Sequence, residues 1–209
     1  MISKKKIGFI VFGGILLLIT AGILYIFTPR KLPDNVIDYL KIEPYLQDGD
    51  IILRQGDATW SAVFSDFSLT DKRFSHVGIV RIRDGDISII HAIGNILNKA
   101  RGVEVISLER FMQQAMSVGI FRARYVDAAL ISDKVMNYVG LPFDWDFDIS
   151  DDSKIYCTEL LYVVLRDIAP QYNITTRFVD TLNREIIPLD SISNSHLFEE
   201  ILFIELEIK

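Results

Sequence analysis

The feature that most constrains the fold is a pair of alternating apolar segments joined by a tight turn. The segments FSHVGIVRI and ISIIHAI flank Asp84-Gly85, a dipeptide preferred in two-residue β-hairpin turns. They are therefore predicted to pair as antiparallel strands. Because side chains alternate between the two faces of a strand, this register places His76 and His91 on one largely apolar face.

The two histidines are predicted to be diagonal neighbours across the hairpin. Such neighbours lie roughly 7–8 Å apart by their backbones, within reach of ring side chains. Gly78, opposite His91, leaves space between them. A slip of one residue in the turn would move the histidines to opposite faces. The alternative interpretation is two core histidines satisfied by backbone carbonyls.

Cys157 is the only cysteine in the 209 residues, and it lies in the first turn of a predicted helix. The run CTELLYVVLRDI has helical apolar spacing and ends before Pro170, while Asp151, Asp152 and Ser153 precede it as candidate caps. A helix N-terminus stabilises a thiolate, and its free amides can receive an oxyanion. The alternative is that Cys157 is a small buried hydrophobic residue.

The loop before this helix, LPFDWDFDISDDSK, is acidic but does not fit a calcium motif. An EF-hand loop starting at Asp144 needs Gly at its sixth position and Glu at its twelfth, where this chain has Ile149 and Ile155. One cysteine and two histidines could supply three zinc ligands, but they lack the close spacing of zinc motifs. We therefore predict neither a metal nor another cofactor.

The N-terminal part contains an uncharged apolar run, residues 7–27, which is long enough to cross a bilayer as a helix. Because a signal peptide has an apolar core of only about 7–15 residues, the run favours an uncleaved single-pass anchor over a cleaved signal. Residues 1–6 carry more basic residues than the other flank, which predicts an extracytoplasmic body, periplasmic or extracellular. Residues 28–44 are predicted to be a linker, and residues 45–209 the functional domain.

The remaining strands and helices mix without a βαβ rhythm, which favours an α+β fold. The formal net charge of −6 and the lack of a basic stripe argue against a nucleic-acid partner. Outside the cytoplasm thiols usually pair, so a lone cysteine there indicates a reactive or a buried thiol. The sequence does not predict an oligomeric state.

Four motifs, in this order, resemble a known family: GDIIL (49–53), FSHVGIV (74–80), GLPFDWDF (140–147) and YCTEL (156–160). They resemble the circularly permuted papain-like cysteine hydrolases of the YiiX/YebB type, relatives of the NlpC-like peptidases and similar to the lecithin:retinol acyltransferase group. The resemblance covers about residues 45–200. It implies a permuted papain-like fold in which an antiparallel sheet or barrel packs against the cysteine helix.

The resemblance also implies the roles of individual residues. Cys157 matches the nucleophile, His76 the general base and His91 the orienting residue, where many family members have Glu. The backbone N–H of Cys157 would bind the oxyanion, and we expect Tyr156 to line the site.

The leading hypothesis is a membrane-anchored amidase or peptidase that cleaves an amide bond, for example in cell-wall peptides. One alternative keeps the same triad but cleaves or transfers acyl chains of lipids or thioesters. The other is a binding module without catalytic activity.

Overall fold

The computed structural model describes residues 37–56, 65–95, 99, 101–113 and 115–206. The described strands are Ile51–Gly56 (β1), His76–Arg83 (β2), Asp86–Ala92 (β3), Val103–Ser107 (β4), Ala115–Ala123 (β5), Arg177–Val179 (β6), Arg184–Ile186 (β7) and Phe198–Glu205 (β8). Six of them form an antiparallel sheet of order β4-β3-β2-β1-β5-β8, and β6 and β7 form a separate hairpin. The α+β prediction is confirmed.

The helices connect and cover this sheet. The described α-helices are Leu108–Met112 (α1), Ala128–Lys134 (α2), Cys157–Ile168 (α3) and Asp190–Ser193 (α4). Short 3-10 helices span Tyr39–Lys41, Glu43–Tyr45 and Val135–Tyr138. Ser107 caps α1 and Asp127 caps α2, each by accepting a backbone N–H at the helix start.

The predicted hairpin forms with the predicted register. Arg83 pairs with Asp86, and Val80 pairs with Ile89. At the turn, Asp84 and Gly85 have φ values of 53° and 88°, the left-handed conformation that a type I′ turn requires at both central positions. The local turn signal therefore fixes which side chains of β2 and β3 share a face.

Each face of the sheet is covered by its own apolar cluster. Val77, Ile79 and Ile90 face α3, whose apolar side packs on them. Val80 and Ile89 face the other way, toward Phe111 of α1. The alternation along β2 and β3 therefore places the cysteine helix over one face and α1 over the other.

The GDIIL motif contributes to the fold through its first two residues. Asp50 is completely buried and accepts hydrogen bonds from Arg122 on β5, at 2.8 Å from Nε and 2.9 Å from Nη2. Gly49 has φ of 79°, and a Cβ there would lie 2.1 Å from the carbonyl oxygen of Ala128. The motif therefore joins β1 to β5 and to the start of α2.

The N-terminal predictions fall largely outside the described residues. The predicted anchor, residues 7–27, lies there entirely. Within the described part of the chain, no helix is long and apolar enough to span a membrane. The described end of the predicted linker, from residue 37, packs against the sheet through buried Ile37 and Ile42.

Candidate active site

Cys157 is the first residue of α3, but the helix begins differently from the sequence prediction. The residue before the helix is Tyr156, whose backbone N–H donates to Glu159 Oε2 at 3.1 Å. The predicted caps Asp151 and Ser153 lie before the helix in a turn of their own, where Asp151 accepts the Ser153 N–H. The cap prediction was wrong because the helix begins after Tyr156, whose own N–H bonds to Glu159 in the first turn, as the Glu of a capping box does.

The thiol of Cys157 is only 7% exposed and is protonated at neutral pH. Burial raises its pKa from 9.0 to about 12, and this outweighs the backbone N–H groups of Thr158, Cys157 and Val77, which lower it. Three backbone donors around one sulfur would stabilise a thiolate once the proton had left. Formation of a thiolate here would therefore require a base to take that proton.

His76 and His91 lie together, as the hairpin register predicts. His76 Nε2 lies 2.7 Å from His91 Nδ1, a hydrogen-bond distance. Phe111 of α1 holds both rings, stacked on His76 with centroids 5.7 Å apart and edge-on to His91 at 5.6 Å. The alternative was that backbone carbonyls satisfy both histidines. For His76 Nε2 and His91 Nδ1 this is wrong, because these two nitrogens bond to each other.

Both imidazoles are neutral at neutral pH. Burial, the positive charge of Arg54 and the neighbouring His91 hold the pKa of His76 well below 6.5. Burial lowers the pKa of His91 to about 4, although the carboxylate of Glu104 opposes this. A neutral imidazole is the form that can accept a proton.

The thiol lies against the backbone at the start of β2. Val77, whose N–H points at the Cys157 sulfur, is the residue directly after His76. No hydrogen bond joins the thiol to His76, and among the described residues only His91 hydrogen-bonds to the His76 ring. Within the described residues, Nδ1 of His76 therefore has no hydrogen-bond partner and is available to accept a proton.

Glu104 is a member of this group that the sequence analysis missed. It lies opposite His91 in the pairing of β3 with β4, and its Oε1 is 3.3 Å from His91 Nε2. Arg101 bonds to the same carboxylate. The only sequence signal for Glu104 is its place in a short alternating strand. No tight turn connects that strand to β3, so the sequence does not determine how the two strands pair.

Tyr156 lines a small apolar cavity of about 20 Å³ beside Cys157. Its ring packs against Phe147 at 5.2 Å, and its hydroxyl accepts the backbone N–H of Ile187 at 2.9 Å. Other lining residues are Phe67, Thr158, Ile186, Pro188 and Leu189. The space next to the sulfur is thus lined mostly by carbon atoms.

The acidic loop before α3 organises its own backbone. Buried Asp144 accepts the N–H groups of Asp146 and Asp148, at 2.9 and 2.6 Å, and Lys154 pairs with Asp146 at 2.8 Å. Throughout the residues described, no three His, Cys, Asp or Glu side chains converge as metal ligands would.

The state of the thiol can be measured by alkylation of the native chain with iodoacetamide. A rise of the pKa from 9.0 to about 12 lowers the thiolate fraction near pH 8 by about 10³-fold, because each pKa unit is a factor of ten. We expect the native rate to be at least about 100-fold below that of the urea-unfolded chain, and to rise tenfold per pH unit up to about pH 10. A plateau below about pH 8 would instead indicate a preformed thiolate–imidazolium pair.

Residues 45–195, more than two thirds of the chain, match the family described as permuted papain-like amidase enzymes, YaeF/YiiX, C92 family. No curated protein matches the chain. Among solved structures, the crystal structure of the metalloprotein YiiX from Escherichia coli O157:H7 is similar, with a TM-score of 0.59 and 14% identity over 75% of this chain and 96% of that one.

The fold of YiiX is therefore shared over nearly its whole length, and the resemblance stated from the four motifs is confirmed. YiiX is described as a metalloprotein, whereas the described residues of the present chain bring no set of metal ligands together. By its match over residues 45–195, this chain belongs to the permuted papain-like amidases of the YaeF/YiiX family.

Proposed function

We propose that this chain is a cysteine amidase that cleaves an amide bond through an acyl-enzyme on Cys157. The family supports hydrolase activity in general. The observation that carries the specific proposal is the contact between the Cys157 sulfur and the N–H of Val77, which brings the thiol to the backbone of β2 one residue from His76.

The reaction uses groups that are neutral at rest. Nδ1 of His76 takes the thiol proton as the sulfur attacks the carbonyl carbon, and the C–N bond breaks when His76 returns that proton to the leaving nitrogen. Water then attacks the thioester while His76 removes a proton from it. This releases a carboxylic acid and restores the thiol.

The helix start supplies the oxyanion donors. The N–H groups of Cys157 and Val77 already point toward the sulfur, so a carbonyl oxygen bound beside it would meet them as negative charge develops. Because these donors belong to α3 and β2, both within the packed core, little reorganisation is needed at the moment of reaction.

The substrate proposal is a peptide amide, with cell-wall peptides as the leading class. It rests on the amidase family and on the proposal that residues 7–27 anchor the domain on the extracytoplasmic side. One observation favours a second candidate, a lipid or thioester acyl group: the cavity beside Cys157 is apolar, with Phe67, Phe147 and Leu189 among its walls.

A chemical trap tests the proposal without knowledge of the natural substrate. The full chain in detergent micelles is incubated with p-nitrophenyl acetate, and intact-mass and peptide-mass spectra are recorded. We expect one acetyl group on Cys157, released with time, and none in Cys157→Ala. Release of peptides from cell-wall fragments, or of fatty acid from vesicles, then distinguishes the two substrate classes. Equal nitrophenol release by wild type and Cys157→Ala would refute the acyl-enzyme.

A further inference from the structure

The chain of polar contacts that begins at His76 extends beyond His91. Nε2 of His91 is buried and makes no hydrogen bond within the described residues, and Glu104 Oε1 lies 3.3 Å from it. At this distance the carboxylate acts on the ring nitrogen through its charge rather than through a well-formed hydrogen bond. Glu104 itself is 30% exposed, so its charge is partly hydrated and inexpensive to keep.

Two proton arrangements are possible along this chain. In the first, His91 carries its proton on Nε2, facing the carboxylate of Glu104, and its Nδ1 accepts the Nε2 proton of His76. Nδ1 of His76 is then a lone pair, ready to take a proton from Cys157. This arrangement is the productive one.

In the second arrangement every proton moves to the other nitrogen. His91 then donates from Nδ1 to His76, and its bare Nε2 faces the carboxylate, lone pair against negative charge. His76 would carry its proton on Nδ1 and could not act as a base toward the thiol. A carboxylate next to His91 therefore disfavours the unproductive tautomer.

We propose that Glu104 is a positioning residue that sets the tautomer of His91 and, through it, the tautomer in which His76 accepts the thiol proton. The catalytic consequence rests on the proposed function, whereas the tautomer preference rests on the described geometry alone. Glu104 does not exchange a proton with substrate in this scheme.

The surrounding charges support this role. Arg101 bonds to Glu104 and places a positive charge on the side of the carboxylate. Arg54 lies over the Phe111 ring, with its guanidinium carbon 5.2 Å from the ring centroid, and its positive charge disfavours protonation of both imidazoles. With both rings neutral, the choice of tautomer decides whether His76 is a base.

The tautomers can be observed directly by NMR. The sequence has three histidines, so long-range ¹H–¹⁵N spectra of the histidine-labelled full chain at about pH 8 contain few signals, assigned with His76→Ala and His196→Ala. We expect the proton on Nε2 in both His76 and His91, while exposed His196 serves as an internal reference. A proton on Nδ1 of His91 in the wild type would overturn the proposal.

Two variants connect the tautomer to the carboxylate. In Glu104→Leu, which lacks an acceptor, we expect His91 and His76 to populate both tautomers, and acetylation of Cys157 by p-nitrophenyl acetate to slow by about 10- to 100-fold. Glu104→Gln keeps an acceptor oxygen but no charge, so its acetylation rate should lie between those of the wild type and Glu104→Leu. It also provides the test if the leucine variant does not fold. Glu205→Gln makes the same change at an exposed position on β8, at the other edge of the sheet, and should match the wild type.

The outcomes separate this inference from the proposed function. If both Glu104 variants keep the wild-type tautomers, the positioning role is refuted. If the tautomers change as expected but even the wild type is never acetylated at Cys157, the proposed function fails while the tautomer assignment stands.

Discussion

Replacing His76 with alanine is expected to slow acetylation of Cys157 by at least about 10³-fold near pH 7.5. General-base catalysis is commonly worth 10²–10⁴-fold, and here the base is needed more than usual because burial raises the pKa of the Cys157 thiol to about 12. Without His76 the thiol depends on solvent hydroxide to remove its proton. The measurement is the rate of p-nitrophenol release from p-nitrophenyl acetate, normalised to acetylated protein.

The pH dependence identifies the role of His76 more firmly than the size of the loss does. Because burial and Arg54 hold the pKa of His76 well below 6.5, the wild-type rate should be flat through neutral pH and fall only under more acidic conditions. In His76→Ala the rate should rise tenfold per pH unit and approach the wild-type rate as the pH nears the thiol pKa.

The matched control is His196→Ala, a change at an exposed histidine near the start of β8. It should leave both the rate and the pH profile unchanged. The general-base role would be contradicted by a His76→Ala profile that runs parallel to the wild type across the whole pH range. A parallel profile would mean that another group takes the thiol proton.

The histidine pair could be predicted from sequence because its geometry is set locally. Asp84 and Gly85 determine the turn, the turn fixes the register, and the register brings His76 and His91 together. Cys157 could be found because it is the only cysteine and precedes a run with clear helical spacing. These signals lie within a few residues of the features that they predict.

The remaining parts of the site depend on contacts between distant segments. Glu104 meets His91 only through the pairing of β3 with β4, across a connection with no two-residue turn to set the register. The hairpin of β6 and β7, which adds Ile186 to the cavity wall, was likewise not predicted. The protonation state of the Cys157 thiol depends on how deeply the folded chain buries it, and no short sequence pattern predicts that burial.

The start of α3 shows how a sequence rule can fail while its physical basis holds. The capping-box pattern requires Ser or Thr three residues before Glu, and this chain has Tyr156 before Glu159, so the pattern is not recognised. Glu159 nevertheless accepts the N–H of Tyr156, as the Glu of a capping box does. The carboxyl group that does this is completely buried.

That burial has a consequence for the pH dependence of stability. Burial raises the pKa of Glu159 from 4.5 to about 8, and the charges of Asp144 and Asp152 add to the shift. The folded chain thus keeps this proton up to about pH 8, whereas the unfolded chain releases it near 4.5. Stability from this group is complete below 4.5, falls as the pH rises from there to 8, and stays low at higher pH.

The variant Glu159→Gln should remove this pH dependence. At about 1.4 kcal/mol per pKa unit, the wild type loses on the order of 3–5 kcal/mol of unfolding free energy between pH 4.5 and 8 through this group. Glutamine keeps an oxygen for the Tyr156 N–H but brings an amide N–H₂ into a site where Glu159 Oε1 has no described partner, at a cost of about 1–3 kcal/mol. We therefore expect the variant to be less stable than the wild type near pH 5 and more stable near pH 9, as measured by urea unfolding across that range.

The same ionisation links stability to the reactivity of the thiol. A charged Glu159 raises the pKa of Cys157, which lies two residues away at the start of the same helix. Because Glu159 is protonated at neutral pH, it places no negative charge beside a thiolate that forms at Cys157. Glu185→Gln, an exposed change on β7, controls for loss of a surface charge. If Glu159→Gln and the wild type lose stability in parallel between about pH 5 and 9, then Glu159 is already ionised in the folded chain and both consequences fail.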